Sequence, residues 1–87
     1  MALLPPKVIA QVNVRSASEL ATTAWEWIMR ADGQVYHRLS KVNGRPERNP
    51  WVLVTRLPAA ELEAVRGDKA RATQMLDAIV RQHGHRR

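Results

Sequence analysis

Residues 34–44 read QVYHRLSKVNG, and this run decides the fold class. Its first nine residues alternate between two sets, which is typical of a strand with one buried face. The sets are Val35, His37, Leu39 and Lys41 on one side, and Tyr36, Arg38, Ser40 and Val42 on the other. Asn43-Gly44 is a strong signal for a two-residue hairpin turn, because both positions of that turn need positive φ. The run therefore predicts a strand that turns back on itself.

The sequence after the turn supplies the returning arm. Residues 45–50 contain two prolines, which exclude a strand interior, whereas residues 51–57 (WVLVTRL) are again strand-like. We therefore expect a long antiparallel hairpin with an exposed basic tip.

A further strand is predicted upstream, over residues 7–15 (KVIAQVNVR). This segment is rich in β-branched residues, and four apolar side chains share one parity. They are Val8, Ala10, Val12 and Val14.

Residues 16–30 support two interpretations. Ser16 and Glu19 have capping-box spacing, and an apolar stripe at helical spacing follows, so a helix closed by Gly33 is the preferred interpretation. The competing one is a strand over residues 22–30, because Trp25, Trp27 and Met29 alternate. That strand would pair with the following one across an Asp-Gly turn.

The last third of the chain is predicted to be helical. Pro58 suits the start of a helix, and apolar residues keep helical spacing from Leu62 to Ile79. Gly67-Asp68 interrupts the pattern, so we expect a short helix, a break and a longer helix.

Together these elements predict a single α+β domain over residues 1–87. The expected order is β-α-β-β-α, with a three-stranded antiparallel sheet and both helices packed on one of its faces. Residues 1–6 and 83–87 are expected to be flexible termini.

Composition excludes several classes of function. The chain has no cysteine, and its apolar stretches are far shorter than the roughly 20 residues that cross a bilayer. A cytoplasmic protein without a membrane partner is therefore expected. No base, nucleophile and orienting group fall together around the three histidines, and no ligand set for a metal is evident. We expect neither an enzyme nor a cofactor.

Charge points to nucleic acid. The chain carries 14 Lys and Arg against 8 Asp and Glu, and residues 30–56 hold six basic against two acidic side chains, net +4. Basic side chains on a protruding hairpin suit phosphate contacts. The sequence thus predicts a small DNA-binding accessory or regulatory protein, with DNA preferred over RNA and a homodimer doubling the contact. Either Arg38 or Arg45 would read guanine edges. The candidate residues are Arg30, Arg38, Lys41, Arg45, Arg48 and Arg56.

Residues 51–83 also resemble the ribbon-helix-helix family of DNA-binding modules, in which an alternating strand precedes Leu-Pro and two helices. The resemblance covers 33 of 87 residues. It implies that Thr55 or Arg56 would face the DNA groove.

The alternative function is a protein-interaction module or inhibitor that docks on a larger complex without touching nucleic acid. Trp25 and Trp27 are about 200° apart on a helix, so one of them would be exposed at a partner contact. The candidate interface residues are Trp25, Trp27 and Met29.

Overall fold

A computed structural model describes residues 7–17 and 19–84. Five strands come first, followed by a 3-10 turn at Val54–Arg56 and two helices, α1 (Ala59–Ala64) and α2 (Arg66–Gly84). The strands are β1 (Val8–Ala17), β2 (Thr22–Arg30), β3 (Val35–Val42), β4 (Arg45–Pro46) and β5 (Val52–Leu53). They form one antiparallel sheet in the order β1-β2-β3-β4, and β5 also pairs with β3. The predicted α+β class with an antiparallel sheet is confirmed, but the sheet is larger than the expected three strands.

The predicted first helix is wrong, because residues 22–30 form strand β2 in the centre of the sheet. The alternation of Trp25, Trp27 and Met29 prevails over the capping signal. In a strand these residues face one side together, opposite Val14, Val12 and Ala10 of β1. Leu20, which the helical stripe would have buried, is 93% exposed.

The hairpin turn after β3 forms where the sequence predicts it. Asn43 and Gly44 have φ values of 51° and 80°, as a two-residue turn requires. Asn43 also joins the turn to β2, because its Oδ1 accepts a hydrogen bond from the Thr22 amide at 2.9 Å. In return, the Asn43 amide donates to the Thr22 carbonyl at 2.7 Å.

The returning arm is shorter than predicted. Within residues 45–57, only β4 and β5 pair with β3. Between them the Asn49 side chain donates to the Leu39 carbonyl at 2.9 Å. The prolines explain the interruption, since a proline cannot donate to a strand ladder. Residues 54–56 form a 3-10 turn instead of continuing the strand. The ribbon-helix-helix resemblance needs an alternating strand before Leu57-Pro58, and this part of the interpretation is wrong. Only Val52 and Leu53 form a strand there, β5, which pairs with β3 of the same chain.

One face of the sheet carries the core. Buried side chains of β1 and β2 pack there against Val54 and against α2. The helix contributes Ala72 and Leu76, four residues apart and therefore on one helical face. The buried apolar core residues on this side are Ala10, Val12, Val14, Trp27, Met29, Val54, Ala72 and Leu76. Leu62 of α1 packs against the same cluster, so α1 and α2 lie on this face. The expected pair of helices on one face included the helix over residues 16–30, which is absent because residues 22–30 form β2.

The helical region has the predicted short and long segments, although the break comes at Val65, before Gly67-Asp68. Helix α2 extends through Gly84, so residues 83 and 84 belong to it and not to the expected tail. Residues 1–6 and 85–87, the remainder of the predicted flexible termini, lie outside the described part of the chain.

Leu76→Ala is expected to lower the free energy of unfolding by about 2–5 kcal/mol, because it leaves a cavity in the core. Leu76 is fully buried, whereas its neighbour Met75 is 40% exposed on the same helix. Met75→Ala is therefore the matched control, with an expected change within about 0.5 kcal/mol. Urea unfolding followed by tryptophan fluorescence measures both. Equal losses would mean that α2 does not pack through Leu76.

Two Gly→Ala substitutions should have opposite effects on stability. Gly44 has φ of 80°, where a Cβ costs roughly 1–2 kcal/mol. Gly67 lies in α2 with no atom within 4 Å of an added Cβ, so alanine there should stabilise by about 0.5–1 kcal/mol. Thermal unfolding of both variants measures the two signs. A stabilising Gly44→Ala would contradict the assigned turn geometry.

Candidate nucleic-acid interface

The second face of the sheet carries no helix in the described part of the chain, and we call it the open face. Strand alternation and cross-strand pairing define its members. They are Gln11, Asn13 and Arg15 of β1, Glu26, Ile28 and Arg30 of β2, and Tyr36, Arg38, Ser40 and Lys41 of β3. Four of these ten side chains are basic and one is acidic, so the face is positively charged. Ile28 is nevertheless fully buried between its cross-strand neighbours Gln11 and Tyr36.

A β-bulge places Lys41 on the open face. Strict alternation would put it beside Leu39, on the side of the core. Instead Trp25 pairs with Leu39 and Ala24 with Lys41, which leaves Ser40 as an extra residue in β3. Ser40 and Lys41 consequently line the same concavity. The bulge thus corrects the sequence prediction for Lys41 and adds a cation to the basic surface.

Glu26 organises the centre of the open face. Its Oε2 accepts a hydrogen bond from Gln11 Nε2 at 2.8 Å, and its Oε1 accepts one from Arg38 Nε at 3.0 Å. The Arg38 guanidinium carbon also lies 4.3 Å from the centre of the Trp51 ring. The four side chains form a continuous array across the sheet, which holds Arg38 in one orientation.

Arg30, the last residue of β2, is held by contacts with neighbouring side chains. It donates to the Tyr36 hydroxyl at 3.2 Å and lies 3.7 Å from a carboxylate oxygen of Asp32. The hydrogen bond to Tyr36, with a smaller contribution from Asp32, raises the pKa of Arg30 above its usual value. Arg30 is therefore a less available cation than the exposed ones.

The remaining predicted cations divide into two groups. Arg45 and Arg48 are exposed at the hairpin tip, where Arg45 pairs with Val42. Arg56 is exposed in the 3-10 turn, whose Val54 enters the core on the helix-bearing side. The structure therefore places Arg38 and Lys41 with Arg15 on the open face, leaves Arg45 and Arg48 at the tip, and puts Arg56 in the 3-10 turn.

A polar concavity of about 550 Å³ lies at the end of the open face near the hairpin turn. Two cations, Arg15 and Lys41, line it from opposite sides of β2. Its further lining residues are Asn13, Thr22, Thr23, Ala24, Glu26, Ser40, Gly44 and Glu47. Two cations, two carboxylates (Glu26 and Glu47) and neutral hydrogen-bonding groups thus surround this space.

The residues predicted to form a protein interface are not equally accessible. Trp27 and Met29 are 1% and 8% exposed and belong to the core, so neither is available to a partner. Trp25 is half-buried and lines an apolar groove of about 470 Å³ between β3, β5 and α1. The other apolar residues of this groove are Leu39, Pro50, Val52, Leu57, Ala64 and Val65.

His37 lies between the two tryptophans of β2. Its ring is 4.7 Å from each indole ring, stacked on Trp25 and tilted against Trp27. It is 3% exposed, and its buried Nδ1 has no hydrogen-bond partner. Burial lowers the pKa of His37 below the usual value of 6.5. Burial therefore favours the neutral form of the imidazole, whose ring neighbours are the two indoles.

Sequence reasoning did not single out several residues of the interface, among them Gln11, Asn13, Arg15, Glu26 and Trp51. Once residues 22–30 are assigned to a strand, alternation places Glu26 on the open face, and pairing with β1 places the first three beside it. No sequence signal brings Trp51 under Arg38, because the irregular segment after β4 positions it.

Comparison with known proteins identifies no relative. The sequence matches no protein-family model, and neither curated proteins nor solved structures give a significant match. Within residues 7–17 and 19–84, no three His, Cys, Asp or Glu side chains form a candidate metal site. No helix among the described residues is long and apolar enough to span a membrane.

Below about pH 6.5 the protein should lose stability because of His37. Its lowered pKa keeps it neutral in the folded state, while the unfolded chain takes up a proton near the usual pKa. The free energy of unfolding should thus fall between pH ~7.5 and ~5.5, above the range in which most carboxylates titrate. Urea unfolding at both pH values measures the difference.

His37→Leu is the control for this prediction, because leucine fills a similar volume with an apolar side chain but cannot bind a proton. The variant should be equally stable at both pH values. An unchanged pH dependence would assign the effect to a group other than His37.

Proposed function

We propose that this protein binds duplex DNA through the open face and the hairpin tip. The observation that carries the proposal is the concentration of Arg15, Arg38 and Lys41 on a sheet face with a single carboxylate, continued by Arg45 and Arg48 at the tip. Cationic side chains that neutralise phosphates release condensed counterions, which provides most of the affinity of such proteins for DNA.

The dimensions of the sheet support this function. Adjacent strands are about 4.8 Å apart, so β1 to β3 span roughly 10 Å, close to the ~12 Å width of the major groove. A sheet face of this width can approach the base edges while its borders meet the phosphates. Arg15 lies on the edge strand β1, and Lys41 lies on β3 beside the hairpin turn.

A DNA-binding accessory or regulatory role in the cytoplasm follows from the small size and basic charge, and a dimer would double the number of phosphate contacts. DNA is favoured over single-stranded RNA because the tryptophans do not form a base-stacking platform. Trp27 is in the core, Trp25 lies in the groove beside the helices, and the Trp51 ring lies against Arg38.

Salt-dependent binding tests the proposal. Fluorescence anisotropy of labelled duplex DNA and of single-stranded RNA is measured over a salt series with the wild type and with Arg15→Ala/Lys41→Ala. We expect the duplex to bind more tightly, and we expect the double variant to reduce the log–log salt slope by about 2. Arg45→Ala/Arg48→Ala should have a comparable effect if the tip also contacts phosphates.

Arg71→Ala/Arg81→Ala is the matched control. It removes the same charge from exposed positions on α2, which packs against the other face of the sheet. If this variant weakened DNA binding as much as Arg15→Ala/Lys41→Ala, the overall charge of the protein and not the open face would determine binding. Absence of salt-sensitive binding at micromolar protein would refute the proposal.

The apolar groove at Trp25 supports a second candidate, a protein-interaction module. An apolar contact there would respond little to salt. If nucleic acid does not bind, Trp25→Ala and Val52→Ser compared with wild type in a protein pull-down would test this groove. Both residues line it without belonging to the buried core cluster.

A further inference from the structure

Arg38 differs from Arg15 and Lys41 of the open face because neighbouring side chains hold it before any ligand arrives. Its Nε donates to Glu26 at 3.0 Å, and its guanidinium carbon lies 4.3 Å from the Trp51 ring centre. Its side chain is 23% exposed, and its two terminal nitrogens are neither fully buried nor hydrogen-bonded within the described part of the chain. Together these terminal nitrogens form a fork of donors that remains available for a ligand with two acceptors.

We propose that Arg38 reads guanine in the major groove, so that the protein prefers guanine-containing duplexes. Guanine presents two acceptors, O6 and N7, at the spacing of an arginine fork, and this is the commonest base-specific arginine contact. The inference rests on the proposed function, because it requires the open face to lie on duplex DNA.

Glu26 decides between a base and a phosphate as the partner of Arg38. Its carboxylate forms an ion pair with Arg38 at 3.0 Å and so offsets positive charge there. A phosphate placed against the fork would be repelled by this neighbouring carboxylate, whereas the neutral edge of guanine would not. The exposed residues Arg15 and Arg45 have no ion pair of this kind among the described residues, so they are the better phosphate ligands.

The position of Arg38 in the sheet leads to the same assignment. Strand β3 lies between β2 and the β4–β5 edge, so Arg38 is an interior position of the sheet. Interior positions face the base edges when the borders of the sheet face the two phosphate backbones. Arg45, the other residue considered as a guanine reader, lies at the hairpin tip. The structure therefore favours Arg38 for the base and Arg45 for the backbone.

Fixing the guanidinium before binding increases its selectivity. A long exposed arginine loses much side-chain entropy when it binds, but Glu26 and Trp51 already restrict Arg38 in the free protein. Gln11 fixes Glu26 in turn, at 2.8 Å. A restricted fork also adjusts poorly to a base edge with a different acceptor pattern, such as that of adenine.

Three short labelled duplexes test the proposal: alternating G·C, the same sequence with 7-deazaguanine at every guanine, and alternating A·T. The 7-deaza base pairs normally but lacks the N7 acceptor. We expect the wild type to bind G·C at least about fivefold more tightly than either of the others at equal salt. Arg38→Lys keeps the charge and its contact with Glu26 but lacks the fork, so it should bind all three alike.

Two further Arg→Lys variants test whether another arginine reads guanine and whether the substitution itself alters binding. Arg45→Lys should retain the preference for G·C if Arg45 contacts phosphate, and Arg71→Lys on α2 is the control for the substitution itself. Thermal unfolding of Arg38→Lys shows whether it is folded at the binding temperature. A purely structural role of Arg38 would change the unfolding temperature without altering the ratio between G·C and 7-deaza duplexes.

The outcomes distinguish this inference from the proposed function. Loss of the preference in Arg38→Lys alone supports Arg38 as the guanine reader. Salt-dependent binding of all three duplexes with equal affinity by the wild type overturns the inference but leaves DNA binding intact. A preference that persists in Arg38→Lys also overturns it, by assigning the reading to another residue. No salt-dependent binding of any duplex refutes both proposals.

Discussion

The row formed by Val12, Trp27 and His37 across three strands is the contact on which the rest of the structure depends. Trp27 pairs with Val12 on one side and with His37 on the other, and all three are almost completely buried. A chain this short has little apolar material, and it contains no phenylalanine. The single large indole at the centre therefore determines which face of the sheet the helices must cover.

Covering one face leaves the other for polar side chains, and this division produces the candidate site. Since alternate residues of a strand point to opposite faces, burial of Trp25, Trp27 and Met29 fixes Glu26 on the open face. Glu26 then holds Arg38 and Gln11 at its centre. The basic surface and the core are thus two consequences of one strand register, and a shift by one residue would exchange them.

The candidate functions depend on different sides of the molecule. Charge, the Arg38 array and the polar concavity belong to the open face, whereas the apolar groove at Trp25 lies beside the helices. The two surfaces differ in the forces that they offer a partner. Phosphate contacts on the open face are screened by salt, while the groove offers mainly apolar area. The leading function is consequently the one that the net charge of +6 also favours.

By itself the sequence determined the local elements whose signals are short-range. Alternation in residues 34–42, the Asn43-Gly44 turn and the apolar spacing of the last helix need only neighbouring residues, and each appears in the structure. Tertiary structure decided where two local signals competed. Residues 22–30 could continue a helix capped at Ser16 or alternate as a strand. Pairing with β1 and β3, together with burial of Trp27, selected the strand. The same holds for Lys41, moved by a bulge, and for Trp51 beneath Arg38. Their positions follow from pairing and packing between distant segments, which no local pattern encodes.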